Sequence, residues 1–170
     1  MVLASLGVAA AVIGVLVVLS AFFSSSETAI FTLSEEWLAE SASSTDRRLV
    51  TLRELRSDPH RLLVTILVGN NVVNVAIASL TTLLATEYLP AGIAVSVATV
   101  VASAIVLIFG EIVPKSYGLG HATTWSLRIA GPLSVVERLL YPLVVVFDAI
   151  TRALNEFVGG EDIEQARVEE

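Results

Sequence analysis

Cysteine is absent from the 170-residue chain, which excludes disulfides, thiol catalysis and cysteine-based metal sites and leaves the redox compartment open. Histidine is nearly absent: His60 and His121 are too few for a zinc site by themselves. Lysine occurs once, at Lys115. Charge of either sign is scarce, with 16% charged residues against 55% hydrophobic ones, far from the usage of soluble globular domains. These shortages describe an integral membrane protein. The net charge of -7 comes largely from the terminal EDIEQARVEE, which follows Gly159-Gly160 and holds five acids and one arginine. A boundary is therefore expected near Val158, with 1–158 as the membrane body and 159–170 as an acidic linker.

What the chain has is long apolar runs. Crossing a bilayer takes about 20 helical residues, and three stretches reach that length: Val2 to about Leu33, Leu62 to about Leu84, and about Ala91 to Val113. The first has no basic leader and is too long for the apolar core of a signal peptide, so it reads as a retained span. The turn TEYLPAG between the last two carries no basic residue, whereas Arg47, Arg48, Arg53, Arg56 and Arg61 follow the first span. By the retention of basic residues on the cytoplasmic side, the N-terminus is expected outside and the C-terminus inside, in a cell membrane. Ser34 to Asp58 mixes acids, arginines and apolar residues, which suits a short helix at the headgroups, and Asp58-Pro59 marks the start of the second span. From Tyr117 to Val158, charges, Gly131-Pro132 and Pro142 interrupt the apolar residues, so two or three interfacial helices are expected there. The fold class is all-α: three transmembrane helices plus juxtamembrane interfacial helices. Ala94, Ala98 and Ala102 form a small-residue row suited to close helix approach, as a packing or dimer seam.

Polar groups at bilayer depth are costly and mark functional sites by default. Three clusters occur. In FFSSSETAIF, Ser24, Ser25, Ser26 and Glu27 lie within the first span, and consecutive serines compete for backbone hydrogen bonds and free carbonyl oxygens. In LVGNNVVN, Asn70 and Asn74 share a helix face with Asn71 beside them, and Gly69 admits a close neighbour. In FGEIVPKSYG, Glu111 and Lys115 stand four apart in the order that favours pairing, and Pro114 removes the donor that Gly110 would normally receive. Helix-to-helix hydrogen bonding accounts for any one cluster alone. Together they supply hydroxyl, amide and carboxylate oxygens without sulfur or imidazole, the ligand set of a hard cation such as Mg²⁺ or Na⁺.

The motifs SSSETA, GNN followed by Asn74, and GEIVPKSYG occur in the order and approximate spacing of the CNNM/CorC magnesium transporters, whose transmembrane domain this chain strongly resembles over nearly its whole length. The resemblance implies a homodimer of three-span subunits and Mg²⁺ export, with Na⁺ as a coupled ion. It places metal ligands among Ser24, Ser25 and Ser26, among Asn70, Asn71 and Asn74, and at Glu111, with Glu27, Gly69, Gly110, Pro114 and Lys115 shaping the site. It also implies that nucleotide binding belongs to cytoplasmic CBS modules that these residues do not include. Neither a nucleic-acid partner nor an enzymatic activity is expected: a serine hydrolase would need a base, and no histidine falls within a span. The expected mechanism pairs Lys115 with Glu111 when the ion is absent. The rival reading is a membrane anchor and dimerisation module for metal- or nucleotide-sensing domains.

Overall fold

The computed structural model describes residues 2–41 and 44–158, all of it helix and short connections; the expected acidic linker at 159–170 lies outside the described residues. Chain order runs α1 (Val2–Thr32), α2 (Glu35–Glu40), α3 (Arg47–Arg56), α4 (Pro59–Tyr88), α5 (Ala91–Ile105), a π-helical segment (Val106–Ile112), α6 (Val113–Gly120) and α7 (Ala122–Val158). α5, the π segment and α6 are continuous and together make one apolar rod, the third span. Starts and stops follow local chemistry. Ser34, Asp46 and Asp58 cap α2, α3 and α4 by accepting from the backbone N–H of Trp37, Arg48 and Arg61, which satisfies donors that the first helical turn leaves free. Pro59 opens α4, where its missing N–H is harmless, and Pro90 separates α4 from α5.

Four helices are long and apolar enough to cross a membrane: Leu6–Thr32, Pro59–Tyr88, Ala91–Gly120 and Ala122–Phe147. The protein is thus a multi-pass membrane protein by composition, with one more helix of spanning length than the sequence leads one to expect. α1 lies at the centre and touches α4, the third span and α7. α4 runs antiparallel to α1, and the third span returns parallel to it. Hydrophobic burial cannot hold such helices together in lipid, so close packing and interhelical hydrogen bonds must. Three glycines permit the closeness. A Cβ on Gly110 would stand 2.6 Å from Ser20 Oγ, one on Gly69 would strike the Phe23 ring, and one on Gly118 would collide with the backbone carbonyl of Ser25. The Ala94, Ala98 and Ala102 row is buried within the single chain, on the α4 side of α5, so its packing reading is realised internally.

Three expectations change. Ser34 to Asp58 forms two helices rather than one, joined by an ion pair of 2.6 Å between Arg56 and Glu35. The region after Tyr117 is not broken into two or three helices: α7 runs for 37 residues with Pro132 and Pro142 inside it. A proline removes one hydrogen bond but ends a helix only when nothing else holds the two halves in line. Here Ile129, Ala130 and Leu133 are buried on both sides of Pro132 in a core shared with Leu52 and Leu55 of α3 and Leu62 and Ile66 of α4. Ser134 also donates to the Gly131 carbonyl at 2.8 Å. Further along, Arg61 of α4 forms a 2.7 Å ion pair with Glu137 and covers the Tyr141 ring at 4.8 Å. Finally, the serine run does not loosen α1, which stays helical through Thr32. Its hydroxyls share carbonyls already inside the helix ladder instead of displacing the N–H groups.

The glycine contacts give a direct test by thermal unfolding in detergent. Gly118→Ala is expected to lower stability by about 1–3 kcal/mol through overpacking against rigid backbone. Gly14→Ala, where the added methyl meets nothing within 4 Å, should be neutral or stabilising by about 0.5–1 kcal/mol.

Candidate intramembrane cation site

Ser20 is the pivot of the bundle's polar interior. It is fully buried, and its Oγ lies 3.0 Å from Asn70 Oδ1 and 2.8 Å from Asn74 Oδ1. A hydroxyl has one proton, so it can donate to only one of the two amide oxygens at a time. The other oxygen then faces Ser20 across an uncompensated, electronegative gap. Asn74 is turned this way because its Nδ2 reaches Glu111 Oε1, at a long 3.5 Å. Asn70 and Asn74 are one α4 turn apart and face α1 together, as their spacing requires. Gly110 lets the third span close over Ser20, and Glu111 follows it directly.

One turn further along α1, Ser24 is also fully buried, and its Oγ has no hydrogen-bond partner. Its neighbours behave differently. Ser25 Oγ contacts the carbonyls of Ala21 at 2.7 Å and Phe22 at 3.1 Å and accepts from Trp125 Nε1 at 3.0 Å. Ser26 donates to the Phe22 carbonyl at 2.6 Å, and Thr28 takes the Ser24 carbonyl at 3.2 Å. A buried hydroxyl left unpaired costs about 1–3 kcal/mol. Ser24 therefore reads as an oxygen held for something other than its own helix, whereas Ser25 anchors α7 and Ser26 is satisfied locally.

The third span supplies the charge. Its π segment, Val106–Ile112, carries Glu111, and the Val113 N–H bonds five residues back to Ile108. Such segments hold one residue more than the regular helix and concentrate at functional sites. Pro114 has no N–H to offer the carbonyl of Gly110, as the sequence suggests, but the irregularity is this widened turn ahead of the proline rather than a break at it. Glu111 is half-buried. Lys115 does not pair with it: Lys115 Nζ lies 3.4 Å from Glu27 Oε2. The seating of Gly118 on Ser25 sets α6 close against α1, so the lysine reaches α1 instead of its own helix. Asn71 also departs from the cluster. It is exposed, and its Nδ2 donates to the Leu67 carbonyl at 2.9 Å.

Of the sequence candidates, the fold thus brings Ser24, Asn70, Asn74 and Glu111 to one neighbourhood, with Gly69 and Gly110 as close-approach positions. Ser25, Ser26 and Asn71 are turned elsewhere. Ser20 escaped the sequence reading because a lone serine in VVLSAF looks tolerable; its four-residue offset from Ser24 was the available signal. Among the described residues no three His, Cys, Asp or Glu side chains come together. The donor set is accordingly two hydroxyls, two amide oxygens and one carboxylate, which suits a hard cation and no soft one.

Known proteins carry the same arrangement of sequence. The family model described as Cyclin M transmembrane N-terminal domain (CNNM) matches residues 11–170. The UPF0053 inner membrane protein YfjD of Escherichia coli is 35% identical over 146 residues, 83% of this chain and 33% of the relative. A chloroplastic DUF21 domain-containing protein of Arabidopsis thaliana is 36% identical over 149 residues, 87% of this chain and 22% of its own. A UPF0053 protein of Haemophilus influenzae is 32% identical over 143 residues, 84% of this chain and 34% of its own. The chain spans a third or less of the length of these curated relatives. Taken with the three motifs and the helical bundle that gathers them, the match identifies this chain as a member of the CNNM/CorC family.

Proposed function

We propose that this domain moves Mg²⁺ across the membrane through a site formed by Ser20, Ser24, Asn70, Asn74 and Glu111. The observation that carries the reading is the Ser20 hydroxyl set between two amide oxygens, with one proton for both, beside a half-buried carboxylate. A hard cation would satisfy all of these oxygens at once. Mg²⁺ requires near-octahedral oxygens at about 2.0–2.1 Å and gives up water reluctantly, so five protein oxygens and a residual water make a suitable shell. Transport rather than catalysis follows from the chemistry: no nucleophile–base pair accompanies the site. Export driven by a Na⁺ gradient, the direction implied by the family resemblance, completes the reading.

Lys115 has a different part from the one its sequence position suggests. Held by Glu27, its ammonium stays off Glu111 and leaves that charge for the ion. The arginine-bearing end of the bundle faces the cytoplasm. α7 contacts the bundle at that end, through α3 and the Arg61 pair, which favours three crossings with α7 at the interface and the C-terminus inside. Two copies associate, and the exposed Asn71 amide at mid-span supports this, because lipid offers it no partner.

The site is tested by purified protein in detergent and in liposomes. Mg²⁺ at a hundred times its dissociation constant should stabilise the protein by about 2.7 kcal/mol, a shift that Ser20→Ala and Glu111→Ala abolish and Ser26→Ala retains. Normal Mg²⁺ flux through Glu111→Ala would sink the assignment, and a sealed wild-type dimer passing no Mg²⁺ under any Na⁺ gradient would favour a membrane anchor. Glu27→Gln is expected to weaken Mg²⁺ binding about tenfold by releasing Lys115 toward Glu111. Adding Lys115→Met should then restore it, as read by calorimetric titration with Mg²⁺.

A further inference from the structure

A cavity of about 360 Å³ lies between α4 and α5, with Asn74 at one end of its lining. The two helices form an antiparallel hairpin closed at Leu89–Pro90, so residues equally far from the turn lie level. The lining falls into tiers one helical turn apart: Asn74 beside Leu107, Ala78 beside Ser103, and Thr82 beside Thr99. The cavity therefore starts at the cation site and runs about 12 Å along α4, away from the arginine-bearing loops, to a level six residues short of the helix end.

Its lining is suited to an ion in transit. Ala78 and Ala102 are too small to fill the space between the helices. Thr82 and Thr99 give their protons to the Ala78 and Val95 carbonyls, both at 2.8 Å. Their hydroxyl oxygens are left with free lone pairs and no proton to give, so they accept from water and attract cations. On the arginine side of the site the packing is closed instead, with the Phe23 ring lying on Gly69 and both buried.

We infer that this cavity is the passage between the cation site and the membrane face opposite the arginine-rich loops, with Ala78 and Ser103 at its narrow tier and Thr82 and Thr99 as its hydrated mouth. The inference rests on the cation-site reading for its cargo but not for its geometry. The natural absence of cysteine makes it directly testable. Single cysteines at Ala78, Thr82 and Ser103 are treated with a positively charged, membrane-impermeant thiol reagent on intact cells and on inverted membranes, with Thr45→Cys marking the arginine side. Thr82→Cys and Ser103→Cys should react from the face that leaves Thr45→Cys unreactive, and the modified protein should lose at least tenfold in Mg²⁺ flux while keeping its Mg²⁺-dependent thermal shift. Ala78→Leu should do the same without any reagent. Cysteines that react only from the Thr45 side, or from neither, overturn the passage, as does normal flux through Ala78→Leu. A wild-type protein that moves no Mg²⁺ overturns the transport reading alone, and the labelling pattern still decides the passage.

Discussion

Contact between the backbones of α1 and the third span is the constraint on which the rest of the molecule depends. In lipid, no water competes for a stray hydroxyl or amide, so a polar interior persists only if helices come near enough to serve one another. At Gly110 and Gly118 the third span has no side chain between itself and α1. Ser20 can then sit against Glu111's own turn, and Ser25 can meet Trp125 from α7. Replace that contact with an ordinary helix separation and the amides of α4 would face a gap too wide for one ion to bridge.

Polarity within the bundle is divided between groups that are settled and groups that are not. Ser25, Ser26, Thr28, Thr81, Thr82 and Thr99 return their protons to their own helices. Ser20 serves two acceptors with one proton, and Ser24 serves none. That division separates structural hydroxyls from those available to a ligand more sharply than burial does, since Ser24 and Ser26 are equally buried.

Much of the architecture was legible in the sequence because it is written in local signals. Hydropathy located the first three spans, Asp58-Pro59 marked the start of α4, and the depth of the serine, asparagine and glutamate clusters followed from counting residues. What was not legible depends on rotation between helices. Which of three adjacent serines faces inward cannot be read from the run itself, and neither can the turning away of Asn71 or the reach of Lys115 to Glu27. The continuity of α7 through Pro132 was hidden for a related reason: it rests on packing against α3 and α4, residues distant in the chain.

The widened turn at Val106–Ile112 binds two parts of the chain to each other. It holds one residue more than a regular helix would over the same rise. Loss of any single residue there would let the segment relax into an α-helix and rotate everything beyond it by roughly 100°. Gly118 would leave Ser25, Lys115 would leave Glu27, and α7 would be carried off its seat. Length in this segment is therefore under tighter restriction than composition: substitutions at its lipid-facing positions disturb little, while a one-codon deletion would dismantle the alignment of two interfaces at once.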